Sequence, residues 1–338
     1  MGDRTCAACD CPLGNSVIRV PVGENSVEVC SSACAEALNK AWAARVPHRW
    51  ALGAQQSSST VRSIETASGR ISYAEAGSGP VALFVHGTLL NKHLWRHQLR
   101  QLSDIRRCIA IDLLAHGDTE IEPDQPVTAT ANANMLKEML DALQIDRVDL
   151  IGNHSGGGIS QIFAALHPDR ARTLTLTNCD AHDHGPGAAL TPILRKAAAG
   201  DLAGALNQML TDKSLYRSLG GLGLAYERPE SVSDDDIEIY LRPLLRGAQR
   251  THDVQRFLAA LDPAHTLAIE PQLKQLQVPT LIVWGTDDVY FPVKVAHWLA
   301  ETIPGAKRPI ELRGARTLFP AERAQVFNQL LRHELLAG

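Results

Sequence analysis

The 338-residue sequence has no apolar run near the ~18–20 residues that a membrane-spanning helix needs. It has no excess of one charge: 33 Lys+Arg face 37 Asp+Glu, for a formal net charge of -4. That balance offers no basic face for nucleic acid and no polybasic anchor for a membrane surface. The first residues lack the apolar segment of a secretory signal, so a cytoplasmic location is the default expectation. There is no internal repeat, and the one compositionally biased stretch is an Ala-, Gln- and Ser-rich linker at about 51–60. Nor are apolar residues scarce. At 45% hydrophobic and 21% charged, the chain excludes wholesale disorder and suits one large domain plus a small one.

The seven cysteines are unevenly placed, and an odd total in a reducing compartment argues against a disulfide framework. Cys108 and Cys179 are isolated in apolar stretches and read as core residues. The other five fall in the first 34 residues. Cys6-x2-Cys9 and Cys30-x3-Cys34 form two close pairs that can supply four thiolates to a tetrahedral zinc, with Cys11 an alternative to Cys9. Between them, Val17 to Val29 alternates around Gly23-Glu24-Asn25 like a hairpin, and Cys34 falls in the first turn of an expected helix. This segment, about 1–50, resembles the small treble-clef-like zinc fingers of the TRASH and MYM type. A zinc with four thiolates would be structural, and such a finger is a candidate surface for a protein partner.

From Val61 onward, short apolar runs alternate with amphipathic helical stretches. The runs are Val81–Val85, Cys108–Asp112, Val148–Ile151, Leu174–Thr177 and Leu281–Trp284. Such runs predict a mostly parallel sheet covered on both faces. Strands stop between about 185 and 270, where several helices with glycine breaks predict an inserted cap.

Over about 61–338 these elements carry a set of landmarks in a particular order. They are His86-Gly87, Asp112 through Thr119, Gly152-Asn153-His154-Ser155-Gly156-Gly157, Trp284-Gly285-Thr286-Asp287-Asp288 and Pro320-Ala321-Glu322-Arg323. Order and spacing together resemble an α/β-hydrolase with a helical cap. The resemblance implies a doubly wound, mostly parallel sheet and a small-molecule substrate. It also implies a sharp strand-to-helix elbow presenting the reactive residue. Two registers fit that elbow: Gly152 and Gly156 around His154, or Asn153 and Gly157 around Ser155. The flanks and the distance to His167-Pro168 favour His154. The surroundings resemble the Gly-Asn-Asp-x-Gly-Gly elbow of the dehalogenase-like branch, with His in place of Asp. The family's acid corresponds to Asp288, with Asp287 its neighbour. The family's base, a His about thirty residues later, is missing, and Thr317 stands in its place. Halide-binding Trp after the elbow and the His-Gly-x-Pro loop of epoxide hydrolases are missing too.

An atypical enzyme acting on a small, mainly apolar substrate is therefore expected. Imidazole titrates near 6.5, so His154 can itself serve as nucleophile or base, and the helix behind it disfavours imidazolium. The Ser155 amide and one from Thr88 or Leu89 are the candidate oxyanion donors, with His86 bracing their loop. After the strand ending at Thr177, Asp180 and His182 are candidates for a relocated acid or base, and with His184 and His154 they offer an alternative metal set. Competing readings are a ligand-binding pseudo-hydrolase and a zinc-finger adaptor.

Overall fold

The structure, a computed structural model, describes residues 17–22, 25–29 and 59–337. By internal contacts the chain divides into two units, 1–56 and 57–338. In the first, β1 (Ile18–Val22) pairs antiparallel with β2 (Asn25–Val29). That is the hairpin the alternation predicts. Cys6, Cys9, Cys11, Cys30 and Cys34 lie outside the described residues.

The second unit is built on an eight-stranded sheet ordered β10-β9-β8-β7-β5-β6-β4-β3. These strands are β3 (Thr60–Thr66), β4 (Gly69–Ala76), β5 (Val81–Val85) and β6 (Arg107–Ile111), followed by β7 (Val148–His154), β8 (Ala171–Cys179), β9 (Thr280–Gly285) and β10 (Ile310–Leu312). Six strands run parallel, and β4 and β3 close one edge antiparallel. The central strands are apolar because both of their faces are covered: every residue of β5, β7 and β9 is buried. The expected runs fall on β5 to β9. The pair β3–β4 has no such run to announce it, since most of β3 is exposed.

Helix α1 (Arg96–Leu102), α2 (Ala129–Ala142) and α3 (Ser155–Leu166) follow β5, β6 and β7. Thr128 caps α2, its hydroxyl accepting the Ala131 amide. Between β8 and β9 the chain forms helices without a strand, among them Thr191–Ala198, Leu202–Thr211, Asp234–Leu241 and Ala248–Ala259. No helix among the described residues is long and apolar enough to cross a membrane.

Chain order positions the site. From β5 the chain moves outward to β6, then returns to the other side of β5 as β7. Loops leaving β5 and β7 therefore diverge and leave a crevice at their carboxyl ends, where ligands bind in this class of sheet. His86 follows β5 and His154 ends β7, one on each side of that crevice.

Candidate active site

The turn from β7 into α3 is made by His154. Its φ of 57° and ψ of -132° are conformations an L side chain rarely adopts, and Ser155 already belongs to the helix. The sharp turn thus stands at His154, not at Ser155. Its tightness depends on the flanking glycines. A Cβ on Gly156 would stand 2.3 Å from the His86 carbonyl oxygen, and one on Gly152 would stand 2.6 Å from the Gly156 oxygen. Neither backbone can yield.

The His154 side chain folds back on its own helix, and Nδ1 accepts the Ser155 amide at 2.7 Å. The Phe291 ring meets it edge-on at 5.1 Å, and Tyr290 lies 5.9 Å away. Burial alone pushes the imidazole down to about 4. Ser155 is buried beside it, and its Oγ accepts the Thr88 hydroxyl at 3.0 Å rather than facing an imidazole.

Asp288 is buried and Asp287 is exposed. The Asp288 carboxylate accepts the amides of Tyr290 at 2.7 Å and Phe291 at 3.2 Å through Oδ1. Its Oδ2 accepts the Thr317 hydroxyl at 2.7 Å. Burial lifts it to about 6 against those hydrogen bonds. The Trp284 indole donates to the Phe291 carbonyl at 2.8 Å and holds the same loop from below. Asp288 therefore bonds to the residue in the place of the family's base, and its loop reaches His154 through aromatic packing. Asn153, behind the elbow, ties the set together by donating to the Thr317 carbonyl at 2.9 Å and the Thr177 hydroxyl at 3.0 Å.

Two of the expected oxyanion donors are already engaged. The Ser155 amide is spent on His154 Nδ1, and the Leu89 amide donates to His116 Nε2 at 3.2 Å. His86 does brace this loop: Nδ1 meets the Gly87 carbonyl at 2.8 Å and Nε2 accepts the Leu113 amide at 3.1 Å. Both rings are held neutral by burial, down to about 3. Sequence reasoning missed His116, which sits inside the Asp112–Thr119 landmark. It clamps Leu89 and packs edge-on against Phe257 of the cap at 4.5 Å.

Asp180 and His182 part company. Asp180 leaves β8 just after Cys179, which pairs with His154 in the sheet. Burial lifts its carboxyl to about 7. His182 points elsewhere: its ring packs tilted against Trp298 at 4.6 Å and Nε2 lies 3.8 Å from Glu270. The alternative metal set is thereby overturned, because no cluster of three or more metal-ligating side chains occurs among the described residues. A narrow cleft runs over the start of α3. Ser155 and Asp180 line it together with Asp262, His265 and Thr266, and Val127, Ile159, Phe257 and Leu261 are among its apolar walls.

The family model for the alpha/beta hydrolase fold matches residues 80–215. An uncharacterised protein of Mycobacterium tuberculosis is 26% identical over 255 residues, covering 71% of each chain. A 2-hydroxy-6-oxononadienedioate/2-hydroxy-6-oxononatrienedioate hydrolase of Cupriavidus pinatubonensis is 24% identical over 267 residues, covering 78% of this chain and 89% of that one. An alpha/beta hydrolase fold protein from Burkholderia ambifaria superposes with a TM-score of 0.69 at 24% identity, over 80% of this chain and 96% of its own.

Proposed function

We propose, from the alpha/beta hydrolase fold match over residues 80–215 and the hydrolase among the relatives, that this chain is a hydrolytic enzyme of the α/β-hydrolase superfamily acting on a small, mainly apolar substrate. The observation that carries this reading is His154, held at φ 57° on the elbow. Such strain persists only where the surroundings enforce it and is concentrated at functional sites. Asp180, with a carboxyl near 7 in an apolar cleft, is the candidate proton carrier. The site works without a Ser-His-Asp relay, since Ser155 faces Thr88 and Asp288 faces Thr317. The test is turnover of a panel of esters, thioesters and vinylogous diketones by wild type and His154→Ala. A loss of at least ~100-fold with a retained melting temperature is expected. Unchanged turnover in the variant overturns the reading.

One observation favours a second reading, a pocket that binds without turning over. The bond from Thr317 to Asp288 closes the acid off from any base. Tight binding of small molecules with no product from the same panel would select it.

For the N-terminal segment we infer a structural zinc on Cys6, Cys9, Cys30 and Cys34. The support is their spacing around the β1–β2 hairpin. Metal analysis of purified protein should return about one zinc per chain, lost when Cys6 and Cys9 are both changed to Ser. A metal-free protein rules this out.

A further inference from the structure

The hydrogen bond between the Ser155 amide and His154 fixes more than the angle of a ring. A neutral imidazole carries one proton. Nδ1 accepts an N–H at 2.7 Å, so Nδ1 holds the lone pair and the proton sits on Nε2. Nε2 makes no hydrogen bond to a described residue, yet it is absent from the buried unpaired polar atoms and so reaches accessible space. Imidazolium is excluded near neutrality because a second ring N–H would oppose the Ser155 N–H. The dipole of the 12-residue α3 adds to that exclusion, as does burial.

Space gives the second argument. A Cβ built on Gly87 would stand 2.3 Å from His154 Cβ, 2.8 Å from Cγ and 3.1 Å from Nδ1. The ring lies flush on the backbone of the loop after β5. Its Nδ1 edge occupies the gap between that loop and the Ser155 amide, where an elbow nucleophile's substrate would place its oxyanion. Attack through Nδ1 would break the 2.7 Å bond, and attack through Nε2 would need a lone pair which that tautomer lacks.

We infer that His154 acts as a neutral Nε2–H donor to the carbonyl oxygen of the substrate, and not as nucleophile or base. The inference rests on the enzyme reading above and narrows its substrate to carbonyl compounds whose reaction builds negative charge on oxygen. In effect the amide's polarity is passed through the ring and delivered one imidazole further out. A neutral imidazole backed by a helix N-terminus is suited to such an electrophilic role.

The step then balances without an acyl-enzyme. Asp180 carboxylate takes a proton from water as the water oxygen bonds to the carbonyl carbon. The C=O π pair moves onto the oxygen facing Nε2–H. When that pair returns, the bond to the leaving group breaks, and the leaving group takes the proton back from Asp180. Water is consumed, and both side chains end as they began.

The test uses the full-length protein labelled with 15N-histidine, with the His154 signals assigned by their loss in His154→Gln and, should that variant fold poorly, in His154→Asn. A protonated Nε2 and a bare Nδ1, unchanged from pH 8 to pH 5, are expected. A proton on Nδ1, or titration inside that window, overturns the assignment. Incubation with p-nitrophenyl acetate and peptide mapping should leave His154 unacetylated. An acetyl group on His154 overturns the donor role while leaving a hydrolase standing. The hydrolase reading fails by its own test, unchanged turnover in His154→Ala.

Discussion

At Asp288 the amides of Tyr290 and Phe291 and the Thr317 hydroxyl, the last at 2.7 Å, meet one carboxylate, and the Asn178 side chain bonds to it as well. Thr317 is wholly buried, so its hydroxyl has no water to fall back on. Thr317→Val keeps shape and removes the donor. The carboxylate then keeps its backbone bonds and loses a charge-assisted one, which costs about 1–3 kcal/mol. Chemical denaturation should show that loss, and Thr317→Ser should recover most of it. The sign for the acid follows from the same bond. The Thr317 hydroxyl favours the ionised form against burial, so Thr317→Val should raise Asp288 further above its present value of about 6. A valine variant as stable as wild type would mean that the bond is incidental.

At the scale of elements, the loop after β5 is held from two sides: His86 grips its backbone, and His116 accepts the Leu89 amide. Leu89 has a φ of 59°, a left-handed conformation that a leucine keeps only when held. His116 is in turn wedged by Phe257, a cap residue 2% exposed. Phe257→Ala should therefore cost about 3–5 kcal/mol in stability. It should also speed hydrogen exchange at the Leu89 amide more than at amides within β5, and uniform acceleration would show that the clamp is not local. How much of this was legible in the sequence varies with range. Strands β5 to β9 announce themselves as apolar runs because both faces are buried, and the elbow's place follows from Gly152 and Gly156. The β3–β4 edge was not legible, since an exposed edge strand needs no apolar run. Nor was the use of the Ser155 and Leu89 amides. Those depend on the rotamer of His154 and on contact between His116 and Leu89, 27 residues apart. Spacing alone placed Asp180 and His182 together, whereas one turns to the cleft and the other to Trp298.

For the whole molecule, the buried titratable groups set how folding responds to acid. Burial holds His86 and His116 down to about 3, and His97 and His154 down to about 4. In the unfolded chain these rings return to about 6.5. Their folded pKa values are depressed, so the stability they contribute is present above about 6.5 and is lost as the pH falls toward 4. Asp180 and Asp288 act in the opposite sense. Raised to about 7 and about 6, they keep protons when folded that the unfolded chain has already released above about 4. Their contribution is fully present below about 4, fades as the pH rises from there, and is gone above about 6 to 7. Near pH 5 the unfolded chain thus holds four histidine protons against two carboxyl protons in the folded chain. The difference of about two protons gives a slope of about 3 kcal/mol per pH unit, with stability falling toward acid. Urea denaturation at half-unit steps from pH 7 to pH 4.5 should show the loss steepening below about 6.5. Asp180→Asn removes one of the opposing protons and should make the slope steeper by about one proton, roughly 1.4 kcal/mol per unit. Stability that stays flat across this range would mean that the four rings titrate alike in the folded and unfolded chains, and that His154 is not held neutral at the elbow.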